Sequence, residues 1–359
     1  MIQRDDIRAA VASGLIDERQ AAGLISLADS RRGARENLAV GDEPFELFKG
    51  FNEIFIVIGL LILSTGWWLI AAVIIADNMA SVFSTAATIG AISVGVIWLL
   101  SEYFIRKRRM VAPAIMLSLM FAGSVAVVLN LMLAEPFMVA QNDYSSVPLP
   151  LLLGTVSLLV FWWRFRVPFA MAMIAVGLFA TAMVYVASQG GTVENVTDFF
   201  LLSADGPFAW ITLVLGALVF TVAMIFDMSD PYRVTRRSAN GFWLHVVAAP
   251  ALVNTMALSL IAQESQMSNL LLLAVLALFA VVAIVIDRRS FLIAAIGYIV
   301  ALSAAVFDGR GAAVTVLVLG IVLVLLGALW ERIRARVLAV MPGFVPLHRL
   351  PPSHRLSRE

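Results

Sequence analysis

Three polar side chains stand in or against apolar runs where they could do chemistry: His245, Asn254 and Glu102, with Pro250 lying between the first two. Ionisable groups in a bilayer are costly and mark functional sites by default. An imidazole exchanges protons near neutral pH. His245 follows Gly241 by four residues, about 6 Å along a helix axis, which predicts headgroup depth. There it either reaches water or a loop carbonyl, or it relays protons. A relay needs a second titratable group at mid-membrane, and none is found in the spans. Asn254 is nine residues further on, about 900° of helical rotation, so the two cannot share one face. Pro250 removes the hydrogen bond to the Val246 carbonyl and predicts a kink. The Asn254 amide then either satisfies loosened backbone or bonds a neighbouring helix. Glu102 precedes Arg106 by four residues, the favourable order for an interfacial ion pair. A carboxylate lining a cytoplasmic vestibule is the alternative.

Other chemistry is sparse. There is no cysteine, which removes disulfides, thiolate metal sites and cysteine nucleophiles. Phosphate loop, nucleophile elbow, zinc-protease helix and dinucleotide fingerprint are all missing. No cofactor or metal site is expected: His348 and His354 lie six apart in a Pro-rich tail, poorly organised for a ligand set. "NVT" at 195–197 is a glycosylation triplet by pattern only. "DMSDPYRVTRRSA" has the acidic-then-basic order of a major-facilitator loop but lacks its glycines. It reads as an ordinary basic turn, and the chain is not expected to be an enzyme.

These residues are set in a chain of 359, with 61% hydrophobic and 14% charged residues. That charge content is far below the roughly 25% of soluble domains. Apolar runs near 20 residues cross a bilayer core of about 30 Å. Ten such runs are expected, at 54–76, 82–105, 110–134, 147–163, 167–187, 207–226, 241–262, 269–286, 291–307 and 313–330. With the N-terminus in the cytoplasm, every Lys and Arg except Arg310 falls in a cytoplasmic segment. The outer loops carry Asp77, Glu135, Asp143, Glu194, Asp198, Asp205, Glu264 and Asp308. The positive-inside rule therefore places both termini in the cytoplasm. The expected fold is all-α: a polytopic transmembrane helix bundle, N-in and C-in.

Aromatics beside the basic turns, among them Trp98, Trp162, Trp163, Trp243 and Trp330, are expected as interface anchors. Ala87, Ala91 and Gly95 repeat at four-residue spacing, the small-residue pattern of close helix packing. "LSTGWW" in the first span is a polar notch, which either packs against a neighbour or lines a path.

Residues 1–53 are expected to be a cytoplasmic helical segment and linker, 54–330 the transmembrane domain, and 331–359 a basic Pro-rich cytoplasmic tail. The start "MIQRDDIRAAVASGL" lacks the apolar core of a cleavable signal, so the first span would serve for insertion. Gly14 closes a first short helix, and Asp17 with Gln20 forms an approximate capping box for a second. Ile7, Ala10, Val11, Leu15, Ile16, Leu24 and Leu27 supply one apolar seam, fit for a helical hairpin, a cytosolic partner protein or the membrane surface. Acids and bases are mixed there, so no nucleic acid partner is expected. The tail, "VMPGFVPLHRLPPSHRLSRE", is expected to be extended, and the basic loops to meet anionic lipid.

"GLIDERQ", "FNEIFIVIGLLIL" and "FWLHVVAAP" resemble stretches of uncharacterised bacterial predicted-membrane-protein families, with a short N-terminal helical segment before a train of spans. The resemblance implies a cytoplasmic-membrane location and no known activity. Three readings stand: an integral membrane protein of unassigned activity, a 5+5 inverted-repeat transporter of a small neutral or apolar molecule, and a scaffold or sensor working through residues 1–35.

Overall fold

The computed structural model describes residues 4–31, 51–78, 81–135, 138–141, 143–190, 196–202, 206–263, 265–288, 312–343 and 345–352. Helix dominates, and no strand occurs among the described residues. Eight helices are long and apolar enough to cross a bilayer. The expected run at 291–307 lies outside the described residues, and that at 313–330 falls within the helix Ala312–Val340. The chain divides into two compact units, one of Met1–Glu43 with Glu194–Glu359, the other Pro44–Val193.

The Pro44–Val193 unit holds α3 (Phe51–Asp77), α4 (Val82–Ser101), α5 (Ala112–Leu133), α6 (Pro148–Phe165) and α7 (Phe169–Ser188). A π-helical turn, Glu102–Lys107, prolongs α4. With lipid as apolar as leucine, close packing rather than water exclusion joins such helices. Gly90 lies against Val128 so closely that a Cβ would collide with it. Gly95 meets nothing. The expected face at Ala87, Ala91 and Gly95 is thus one step off the packed one, which runs through Ala86, Ile89, Gly90, Ser93 and Ile97. Trp98 is not an interface anchor. Its ring sits 4.9 Å from Phe165 and 6.0 Å from Phe121, in a cluster with buried Phe161. Trp163, 65% exposed, does fit the anchor role.

The second unit opens with α1 (Arg4–Ala12) and α2 (Glu18–Arg31). Gly14 takes a left-handed φ of +74° between them, a conformation a side chain would oppose. The capping box forms as expected: Asp17 N donates to Gln20 Oε1 (3.0 Å) and Gln20 N to Asp17 Oδ1 (2.6 Å). After them come α8 (Phe208–Met228), α9 (Arg236–Ile261), α10 (Gln266–Ile286) and α11 (Ala312–Val340). Helices α8 and α9 pack closest, with Gly216 against Ala251 and Leu252. The α1–α2 hairpin is a docked element. Ala21 and Ala22 bury against Val234 in the α8–α9 turn, ringed by Ile7, Val11, Ile16, Ile25 and Tyr232. Arg8 Nε donates to the Val234 carbonyl (3.0 Å), and Arg237 pairs with Glu18 (2.9 Å).

Two expectations fail at the C-terminal side. Helix α11 runs ten residues past the expected span end at 330, carrying "ERIRAR" as helix. The chain then folds back instead of trailing away: Leu350 buries with Val285 and Leu338, and Arg334 donates to the Pro351 carbonyl (2.5 Å). The hairpin, the 229–235 turn, the end of α10 and residues 345–352 meet at one end of this unit.

Candidate functional site

The basic end of the second unit is built around Asp227, in the last turn of α8. Arg288 grips it with a fork: Nε donates to Oδ2 (3.0 Å) and a terminal nitrogen to Oδ1 (2.6 Å). The same nitrogen donates to the Ser238 carbonyl (2.9 Å). His245 Nε2 lies 3.0 Å from Oδ2. A carboxylate paired with guanidinium only accepts, so Nε2 carries the hydrogen. Phe220 packs edge-on at 5.4 Å from the imidazole, and Phe242 lies under the Arg288 guanidinium at 5.9 Å. Gly241 makes the arrangement possible, since a Cβ there would occupy the space of the Asp227 carboxylate. His245 and Arg288 are 0% and 1% exposed. A carboxylate, a guanidinium and an imidazole thus meet out of reach of solvent.

A second layer closes the helix ends. Asp230 accepts from the Val234 and Thr235 backbone nitrogens (3.1 and 2.8 Å) and from the Thr235 hydroxyl (2.7 Å). Thr235 in turn caps α9 through Arg237 N (3.2 Å). Burial pushes the Asp230 carboxyl above its ordinary range, against the pull of those hydrogen bonds. Asp287 caps α10 in a left-handed conformation (φ +57°) and accepts from Arg233 (2.9 Å) and the Trp330 indole (2.6 Å). Trp330 is therefore a buried strut, not an interface anchor. Arg334 donates to the Ile284 carbonyl (3.1 Å), one of the end carbonyls helix geometry leaves open.

Sequence reasoning placed His245 at headgroup depth with access to water. The structure starts α9 at Arg236, five residues earlier than expected, so His245 lies about 14 Å from the helix start. Its partner Asp227 was hidden at the end of an apolar run, where it reads as the start of the loop. Arg288 reads in the sequence as a loop cation, and the structure buries it against Asp227. Pro250 lies inside α9, which continues through it to Ile261. Asn254, half-buried further along α9, is not part of the His245 cluster. Glu102 makes the expected pair with Arg106 (3.0 Å) and a closer one with Arg164 (2.7 Å), tying α4 to α6. It lies in the other unit, as does Glu53. That side chain, 4% exposed, accepts from the Val111 and Ala112 backbone nitrogens at the start of α5 (3.2 and 3.1 Å).

The Pro44–Val193 unit contains a cavity of about 410 Å³ between α3, α4 and α5. Leucine, isoleucine, valine and methionine form half of its wall. Trp67, Trp68 and Ser64 of the "LSTGWW" notch face it together with Ser93 and Ser124. Trp67 donates its indole hydrogen to Ser93 Oγ (2.7 Å), and Ser93 donates to the Ile89 carbonyl (2.8 Å). Hydroxyls in these spans generally bond back one turn, as Thr65, Thr88, Ser118, Thr155 and Thr181 do. Among the described serine and threonine hydroxyls of the eight apolar helices, Ser64 and Ser124 alone have no hydrogen-bond partner in the protein, and both line this cavity. An unpaired hydroxyl away from water costs about 1–3 kcal/mol.

Comparison with family models, curated proteins and solved structures finds no match. Among the described residues, two places stand out chemically. One is a buried cluster of charges around Asp227. The other is an open, apolar chamber with uncommitted hydroxyls.

Proposed function

We propose that this chain is a ten-span protein of a bacterial cytoplasmic membrane, N-in and C-in, that carries a small neutral or apolar molecule. The cavity between α3, α4 and α5 supports this reading. Its volume falls within the roughly 300–1,000 Å³ of small-molecule sites, apolar with a few polar groups. The ion pairs argue in the same direction. Asp227 with Arg288, and Glu102 with Arg106 and Arg164, are mutually neutralised and stand at helix ends. A pump moving ions would need charged ligands along its path. The shared end of the hairpin, the basic α8–α9 turn and residues 345–352 supports a common side for both termini.

The absence of cysteine makes the test direct. Single cysteines at Ser64, Ser124 and Asn254 are labelled with a membrane-impermeant maleimide from each side of sealed vesicles. A carrier gives labelling at Ser64→Cys or Ser124→Cys whose accessible side changes with conditions. Silence at both from either side, with a cytoplasmic-loop cysteine reactive as a control, removes the carrier reading.

A scaffold reading has one observation in its favour. Leu15 and Leu24 on the docked hairpin remain 79% and 48% exposed. Loss of a co-purifying cytosolic protein on Leu15→Ser and Leu24→Ser, with vesicle labelling unchanged, would favour it.

A further inference from the structure

The geometry points to a binding site in the α3–α4–α5 cavity for one neutral amphiphile, a molecule with an apolar body and a single hydrogen-bond-accepting oxygen such as an alcohol or ketone. The inference deepens the carrier reading and names its cargo class. Binding, however, stands without movement across the membrane.

The argument runs from the wall inward. The apolar lining excludes a charged guest, because no described cation or carboxylate faces the cavity to balance it. A pure hydrocarbon would fill the space but leave Ser64 and Ser124 unpaired. Trp68 is a third open donor: it lines the cavity and its indole N–H has no partner in the protein. Trp67, by contrast, is held fixed by Ser93 and offers a ring face. Hydroxyls donate or accept, and indole only donates. Three groups that can all donate select a guest that accepts. The volume sets the scale at roughly a dozen water-sized shares of about 30 Å³ each, too small for a whole phospholipid. The open groups come from two helices, Ser64 and Trp68 from α3 and Ser124 from α5. A guest holding both would bridge α3 and α5, which at one end are already tied through Glu53.

The test uses the full chain in lipid nanodiscs and two probes of equal length, a bromine-terminated decanol and bromodecane. Bromine quenches indole fluorescence on contact, so Trp67 and Trp68 report occupancy. Saturable quenching by the bromoalcohol, reversed by plain decanol and absent with bromodecane, is expected. One hydrogen bond to a neutral partner is modest in net strength. Ser64→Ala and Ser124→Ala should therefore each weaken the apparent affinity about two- to tenfold. Ser124→Leu should abolish saturation, and Trp68→Phe should reduce the quenched amplitude. Elution volume and thermal transition of each variant confirm folding. Equal quenching by the two probes, insensitive to both serine substitutions, would show only lipid-like hydrocarbon in the cavity and overturn the inference. So would non-saturable quenching by both. Saturable binding without alcohol flux in proteoliposomes would sink the carrier reading and leave the site intact; flux without saturable binding would do the reverse.

Discussion

Removing the charge of Asp227 tests whether the knot at the α8–α9 end is one unit. Asp227→Asn keeps the shape of the side chain, yet it leaves the Arg288 guanidinium, 1% exposed, without its counter-charge. Breaking a buried pair from one side costs about 3–5 kcal/mol. Arg288→Met leaves Asp227 with His245 as its one hydrogen-bonding side chain from the knot, and takes the side-chain donor from the Ser238 carbonyl. A cost of about 3–5 kcal/mol is expected there too. The double variant removes both charges and fills the space with a flexible apolar chain. It should cost clearly less than the sum, with a coupling of about 2–3 kcal/mol, the upper range for residues in one network. The assay is reversible unfolding of bicelle-reconstituted protein by SDS, followed by tryptophan fluorescence, for the four members of the cycle. Additive single costs, or single costs below about 1 kcal/mol, would refute the claim that the pair is desolvated and mutually dependent.

Further outcomes follow from the same geometry. Gly241→Ala pushes a methyl into the Asp227 carboxylate and should cost about 2 kcal/mol or more, whereas Gly95→Ala, with open space around it, should be neutral or slightly stabilising in the same unfolding assay. Glu53→Ala strips two backbone donors of α5 of their acceptor and should cost about 2–4 kcal/mol; a loss below 1 kcal/mol would mean water serves them. Burial raises the Asp230 carboxyl, so the folded state takes up that proton more readily than the unfolded chain does. The penalty is present above the folded-state pKa and relieved as pH falls through it. The transition temperature of the wild type should therefore rise relative to Asp230→Asn between pH 7 and pH 4, and a relative fall would show the opposite shift. Ala21→Asp should release the hairpin and speed proteolysis within residues 4–31. Glu18→Ala, which removes a partly exposed ion pair, should barely change it.

Hydropathy made the eight long apolar helices legible, because crossing a bilayer requires a length that an apolar run records. The capping box at Asp17 and Gln20 was legible for the same local reason. Rotation of a helix about its axis was not. Ala87, Ala91 and Gly95 satisfy the packing pattern as well as Ala86, Gly90 and Ser93 do, and only the partner helix decides between them. Nor were the long-range partners. Asp227 and Arg288 are separated by 61 positions, and each looks like ordinary loop punctuation at the edge of an apolar run. His245 stands out in the sequence, but its buried environment does not, because the helix starts at Arg236 and not at Gly241. The "LSTGWW" notch carried a usable signal. What the sequence withheld was that Ser64, rather than its neighbour Thr65, faces the cavity.

The docked hairpin also has a consequence in time. Arg8 and its acceptor Val234 are 226 residues apart. At about 5–20 residues per second of synthesis, the hairpin leaves the ribosome about ten seconds to a minute before the turn that covers Ala21 and Ala22 exists. During that interval six apolar helices must be threaded into the bilayer beside an unsheltered amphipathic pair. The α8–α9 turn then arrives as the receptor for a segment already made, so closing this end can serve as a late checkpoint on assembly. A chain truncated before Val234 would keep its hairpin permanently uncovered, a surface that quality-control proteases and chaperones could recognise.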